Sequence, residues 1–297
     1  MTNNRTSGGR PILACVLSGL VFCLLSLIAT ALLYGFGYEP DKLLFKNGIA
    51  VKLYSVLVLL VALFGVAVLF LLRRAPGTEP GTEMEAAGKR SSTLQILMMV
   101  CGFAVLSTLI AEIACTLLGV SSGQFSIDGS ILAVLTGRSR TLTVNGNIHL
   151  LLWILTVPAA LFFILPGLMP RLSDTARALF GMAAALWALL FALGANLYTE
   201  SFPMNSPLRL MPLLAGTATA LFFTADVRFL VGRGRTNLLV AAGIPAMTAC
   251  LIYALPELAL TFAGYYELGI GSVYAIAFLC AGIVIIARLI GVAKAEQ

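Results

Sequence analysis

Glu112 stands between Ile110-Ala111 and Ile113-Ala114, inside an apolar stretch where an ionisable group is costly to place. A carboxylate in that setting can serve as a proton or cation site. It can also be a structural acid held by a neighbouring donor, and this blander role carries more weight, since structural pairs form the same kind of environment. Five further polar residues recur at comparable depth along the chain: Glu200, Glu257, Glu267, His149 and Arg209. Glu200 closes one apolar run and Glu257 another, Glu267 precedes the last, and His149 and Arg209 each open one. Together with Glu112 they form a candidate intramembrane or outer-cavity polar site, or else a set of ordinary residues at headgroup depth that converge on nothing. Arg209 is the only fixed cation among them, and it is expected to pair with Glu112 or Glu200. Pro245 and Pro256 precede Glu257 in its run. Proline removes a helical donor and bends the helix, and a carboxylate beside such a break suits a solute site.

Other chemistry is set aside by composition. One histidine in the whole chain rules out the paired-histidine zinc motif. Neither a phosphate-binding glycine loop nor a G-x-S-x-G nucleophile turn occurs. The sequence implies no cofactor, no metal and no catalytic residue, and the chain reads as a non-enzyme. The cysteines, Cys15, Cys23, Cys101, Cys115, Cys250 and Cys280, all fall in apolar runs without C-x-x-C spacing. They read as packing residues.

The elements that must position these groups follow from hydropathy. Of 297 residues, 60% are hydrophobic and 11% charged, and the mean hydropathy is +0.99. A soluble domain is about half apolar and about a quarter charged. The excess is hidden most simply by a lipid-facing surface. Eight runs reach the roughly 20 residues needed to cross a bilayer, at about 11–36, 48–72, 94–119, 148–169, 176–198, 208–230, 237–260 and 268–290. Backbone polar groups in lipid must be satisfied within the segment, so each run is expected to be a helix. The predicted fold is an all-α polytopic transmembrane bundle with no separate soluble domain. The first run is too long for the apolar core of a cleaved signal peptide, which spans about 7–15 residues.

Basic residues set the expected orientation. Arg5, Arg10, Arg73, Arg74, Lys89, Arg90, Arg171, Arg177, Arg228, Arg233, Arg235, Arg288 and Lys294 fall in one set of alternate segments. Lys42, Lys46, Lys52, Arg138, Arg140 and Arg209 fall in the other. By the positive-inside rule both termini are cytoplasmic. The net charge of +6 then anchors anionic lipid, and nucleic acid is not an expected partner. Residues 73–93, with PGTE at Pro76–Glu79 and again at Pro80–Glu83, read as a flexible cytoplasmic loop. Residues 120–147 read as an outer loop. Alternation of Leu142 and Val144 with Thr141 and Thr143 hints at a short strand there, and Ser130–Thr136 is apolar but too short to cross. In the last run, Gly271 with Ala275 and Ala277 with Ala281 give small-residue pairs that let helices approach closely. They suit packing within the bundle, or, as the sharper reading, contact with another membrane protein or a second copy.

The stretch Tyr198-Thr199-Glu200-Ser201-Phe202-Pro203-Met204-Asn205-Ser206-Pro207, followed by Asp226, Arg228, Phe229, Leu230 and Gly232, resembles uncharacterised multi-pass membrane proteins of Clostridia-type bacteria. The resemblance covers residues 198–232 and implies a bacterial cell-membrane setting without an activity. From the residues themselves, many spans, short loops, a buried acid and proline-bent helices point to small-solute or ion transport, or to a permease-like subunit. The competing reading is a membrane sensor, scaffold or assembly factor that transports nothing.

Overall fold

The computed structural model describes residues 9–39, 42, 44–46, 48–73, 92–118, 130–139, 141–169, 173–198, 207–266 and 269–295. Its long helices are α1 (Gly9–Gly37), α2 (Gly48–Leu72), α3 (Ser92–Leu118), α5 (Val144–Leu168), α6 (Asp174–Tyr198), α7 (Pro207–Leu230), α8 (Thr236–Phe262) and α9 (Ile270–Ala295). Between α3 and α5 lies the short α4 (Ser130–Leu135). A two-residue antiparallel ladder of β1 (Tyr38–Glu39) and β2 (Leu44–Phe45) closes the turn between α1 and α2. Among the described residues eight helices are long and apolar enough to cross a membrane, and no separate soluble domain accompanies them there. Their outer faces carry Leu24, Leu25, Leu60, Phe70, Ile110, Leu179 and Leu221, all exposed. Such a surface is tolerable only against lipid.

Packing divides the bundle in two. Helices α3, α5, α6, α7, α8 and α9 contact one another in that order, and α9 returns to α3, which closes a ring. The α1–α2 hairpin lies outside it, chiefly against α8. Burial follows this plan: the apolar window of α8 is 72% buried and those of α1 and α2 only 28% each. Close helix crossings use glycine. A Cβ at Gly216 of α7 would sit 2.5 Å from the Ala188 carbonyl oxygen of α6, and one at Gly65 of α2 would sit 2.9 Å from that of Ala241 in α8. Without a hydrophobic force between helices in lipid, such close backbone approach supplies much of the packing. Gly271, Ala275, Ala277 and Ala281 are all buried inside the chain, so these small residues pack within the bundle.

Aromatic side chains fill the ring. Phe191 of α6 lies 4.6 Å, centroid to centroid, from both Tyr274 and Phe278 of α9. Trp187 stacks on the same two rings at 6.1 and 5.5 Å, and Tyr253 of α8 completes the group at 5.6 Å from Phe278. All six cysteines are free, and Cys23, Cys101 and Cys250 are buried in the core.

The segment before α5 departs from the strand expected there. Residues 141–143 form no ladder, and Thr143 instead caps α5, its side chain accepting the Gly146 N–H at 3.0 Å. The alternation was misleading because a threonine before a helix offers the same β-region backbone as a strand residue, with an oxygen for the orphan amide. Ser130, opening α4, touches the Thr143 hydroxyl at 3.3 Å and so ties α4 to the cap. The proposed flexible loop falls largely on residues 74–91, outside the described residues.

Candidate functional site

Two buried carboxylates lie at the hairpin end of the bundle, and they have opposite environments. Glu112 is six residues from the end of α3, about 9 Å along the axis at 1.5 Å per residue. It is 3% exposed and its needs are met. Trp153 Nε1 donates to Oε2 and the Tyr274 hydroxyl donates to Oε1 at 2.5 Å. His149 Nδ1 lies 3.4 Å from Oε2. His149 and Trp153 are four apart on α5 and so share a face. Tyr274 comes from α9, where it also hydrogen-bonds Thr108, one turn below Glu112 on α3. The acid therefore joins α3, α5 and α9 at a single point.

Glu257, on α8, is also buried. No described side chain donates a hydrogen bond to its carboxylate, and no described Lys, Arg or His pairs with it. Its electrostatic neighbours are phenols: Tyr34, Tyr38, Tyr253 and Tyr266. Most of these hydroxyls are engaged elsewhere. Those of Tyr38 and Tyr266 bond to each other, which pins the α1–α2 hairpin to the α8–α9 connection. Those of Tyr34 and Tyr54 do the same between α1 and α2. Burial pushes the Tyr38 phenol up to about 12; the bond to Tyr266 works against this and the Glu257 charge adds to it. Burial also raises Tyr266 strongly, with its bond to Tyr38 the next cause. The Tyr253 hydroxyl is buried and has no hydrogen-bond partner among the described residues. It lies one turn before Glu257 on the same face of α8. Glu257 thus sits at the seam between hairpin and ring. One turn further toward the end of α8, the Thr261 hydroxyl donates to the Glu257 carbonyl at 2.8 Å and meets Ser272 of α9 at 3.0 Å.

Of the residues singled out in the sequence, Glu112 and His149 are brought together, and Glu257 stands apart with the tyrosines. Glu200 and Glu267 lie outside the described residues. Arg209 falls in the first turn of α7, its side chain outside the description, so its expected pairing is not seen. Sequence reasoning missed Trp153, Tyr274 and the tyrosines. A signal existed in the four-residue spacings His149–Trp153 and Tyr253–Glu257, each of which puts two polar tips on one helix face. It also missed an ion pair at the opposite end. There Arg288 of α9 holds Asp226 of α7, with Nε 3.1 Å and Nη2 3.0 Å from Oδ1. Among the described residues no group of three or more His, Cys, Asp or Glu side chains is placed to hold a metal ion.

No protein-family model matches the chain, and neither the curated proteins nor the solved structures contain a match to it.

Proposed function

We propose that this integral membrane protein moves a small solute or ion, alone or as a permease-like subunit, and that Glu257 is the group that meets the cargo. The observation that carries the reading is a membrane-buried carboxylate with no hydrogen-bond donor and no counter-charge among the described residues. Such a group is expensive to keep, and in membrane proteins buried acids of this kind mark ion and proton routes. Glu112, by contrast, acts as a structural clasp, because donors from two other helices already hold it. The basic-residue bias supports a cell membrane placement with both termini cytoplasmic, which puts the hairpin end and both carboxylates on the outer side. The resemblance over residues 198–232 supports a bacterial origin.

The test is a flux measurement on the full chain in liposomes loaded with a pH-reporting dye, under imposed proton, sodium, potassium and small-amine gradients in turn. A flux above that of protein-free liposomes is expected under at least one gradient, with Glu257→Gln lowering it at least tenfold. Proteoliposomes as tight as empty ones under every gradient would overturn the reading. One observation favours the alternative of a sensor, scaffold or assembly factor: Trp187, Phe191, Tyr253, Tyr274 and Phe278 fill the middle of the ring. Tight liposomes would select that alternative.

A further inference from the structure

The seam at Glu257 offers an unusual ratio of oxygen acceptors to aromatic surface, and that ratio selects among cations. A hard inorganic cation such as calcium takes 6–8 oxygen ligands, and magnesium demands a full octahedron. Here the hydroxyls of Tyr38 and Tyr266 are committed to each other, as are those of Tyr34 and Tyr54. Among the described residues, the oxygens there without a hydrogen-bond partner are the two carboxylate oxygens of Glu257 and the buried hydroxyl of Tyr253. These three unengaged oxygens lie one turn apart on a single helix face. An alkylammonium head has three N–H donors and one positive charge. The phenol rings provide the rest of the match. Tyr34 and Tyr38 pack at 4.8 Å between centroids, and the faces of such rings attract cations while their edges accommodate an alkyl group.

We propose that Glu257 and Tyr253 bind the head of a small primary ammonium ion, with Tyr34, Tyr38 and Tyr266 forming the aromatic wall around it. The assignment rests on the reading of Glu257 as the cargo-meeting group and narrows it to one chemical class. Binding requires no transport: the ion exchanges its water for two carboxylate oxygens and one phenol oxygen. The hairpin then becomes part of the site, because two of the walls come from α1 and its adjoining strand while the charge comes from α8.

The experiment is calorimetric titration of the full chain in lipid nanodiscs with ethylammonium, tetramethylammonium and sodium as separate probes. Saturable ethylammonium binding is expected. Tetramethylammonium, which has the charge but no N–H, is expected to bind at least about tenfold more weakly, the effect of losing hydrogen bonds to a charged group. Tyr253→Phe removes one acceptor and keeps the ring, and is expected to weaken ethylammonium about tenfold. Glu257→Gln should abolish binding. Variants are compared only where their thermal unfolding matches the parent, and Tyr253→Phe keeps the test decisive if Glu257→Gln does not fold. Absence of ethylammonium binding, equal binding of tetramethylammonium, a sodium-only response, or binding undiminished in both variants would each overturn the proposal. Failure here with a Glu257-dependent ion flux in liposomes would sink the amine assignment and leave the transport reading standing. Amine binding with tight liposomes would do the reverse.

Discussion

Replacing Glu112 by leucine sets two physical effects against each other. On membrane-insertion scales a charged residue at the helix centre costs about 2.5–3.5 kcal/mol and leucine gains about 0.5 kcal/mol, so hydropathy alone predicts that Glu112→Leu stabilises the protein. Glu112 lies one and a half turns from the helix end, where that relief shrinks toward the interface. Against it stand two donors that lose their acceptor, Trp153 Nε1 and the Tyr274 hydroxyl. Each buried donor left unsatisfied costs about 1–3 kcal/mol. Interhelical hydrogen bonds in membranes tend to the lower part of that range. The expected outcome is net destabilisation by about 1–3 kcal/mol. Glutamine behaves differently. Its carbonyl can accept from Trp153, which only donates, while its amide can donate to the Tyr274 oxygen and the Tyr274 proton turns to Thr108. Glu112→Gln should therefore cost less than about 1 kcal/mol. Adding Trp153→Phe and Tyr274→Phe to the leucine variant removes both orphans and should recover part of the loss. Reversible unfolding in bicelles, followed across the four proteins, measures this directly. A leucine variant as stable as the parent, or a glutamine variant as costly as the leucine one, would refute the idea that Glu112 is a clasp.

Two further predictions concern packing away from that site. Arg288→Met leaves Asp226 buried without its cation and should cost about 3 kcal/mol, in the range for breaking a buried pair, whereas Asp226→Leu combined with Arg288→Met should be close to neutral; detergent-solubilised melting temperatures of the three proteins check this. Gly216→Ala places a methyl 2.5 Å from the Ala188 carbonyl and must separate α6 from α7, at about 1–3 kcal/mol, while Gly291→Ala, which meets nothing within 4 Å, should be silent in the same melts.

The eight-helix architecture was legible because lipid solvation imposes it locally: each run of about 20 apolar residues has only one way to satisfy its backbone. The candidate acids were legible for a related reason, since Glu112 and Glu257 interrupt that apolar background. What sits beside each acid was not. Tyr38 and Tyr266 are 228 positions apart, and Glu112 and Tyr274 162 apart, so no local pattern could pair them. Tyrosines and tryptophans near span ends are also enriched at any membrane interface, which masks those few that turn inward. Asp226 has Arg228 only two positions on, but that exposed side chain has no part in the pair; the partner, Arg288, is 62 positions away. At Thr143 the failure was one of local chemistry, because capping and strand formation draw on the same backbone region.

The division of roles between the two carboxylates follows from which donors face them. Trp153 can only donate, and the tyrosine opposite it, Tyr274, stands alone among the aromatic rings of α6 and α9 with an acid in reach. Both therefore turn to Glu112, and each of its two carboxylate oxygens holds a donor. Around Glu257 the phenols come in pairs, Tyr38 with Tyr266 and Tyr34 with Tyr54, and no described side chain donates to the carboxylate. Leaving a buried carboxylate without donors costs several kcal/mol in a low-dielectric interior. Glu257 lies without a donor among the described residues where the hairpin meets the ring, which is the arrangement that a cation binding between the two would stabilise.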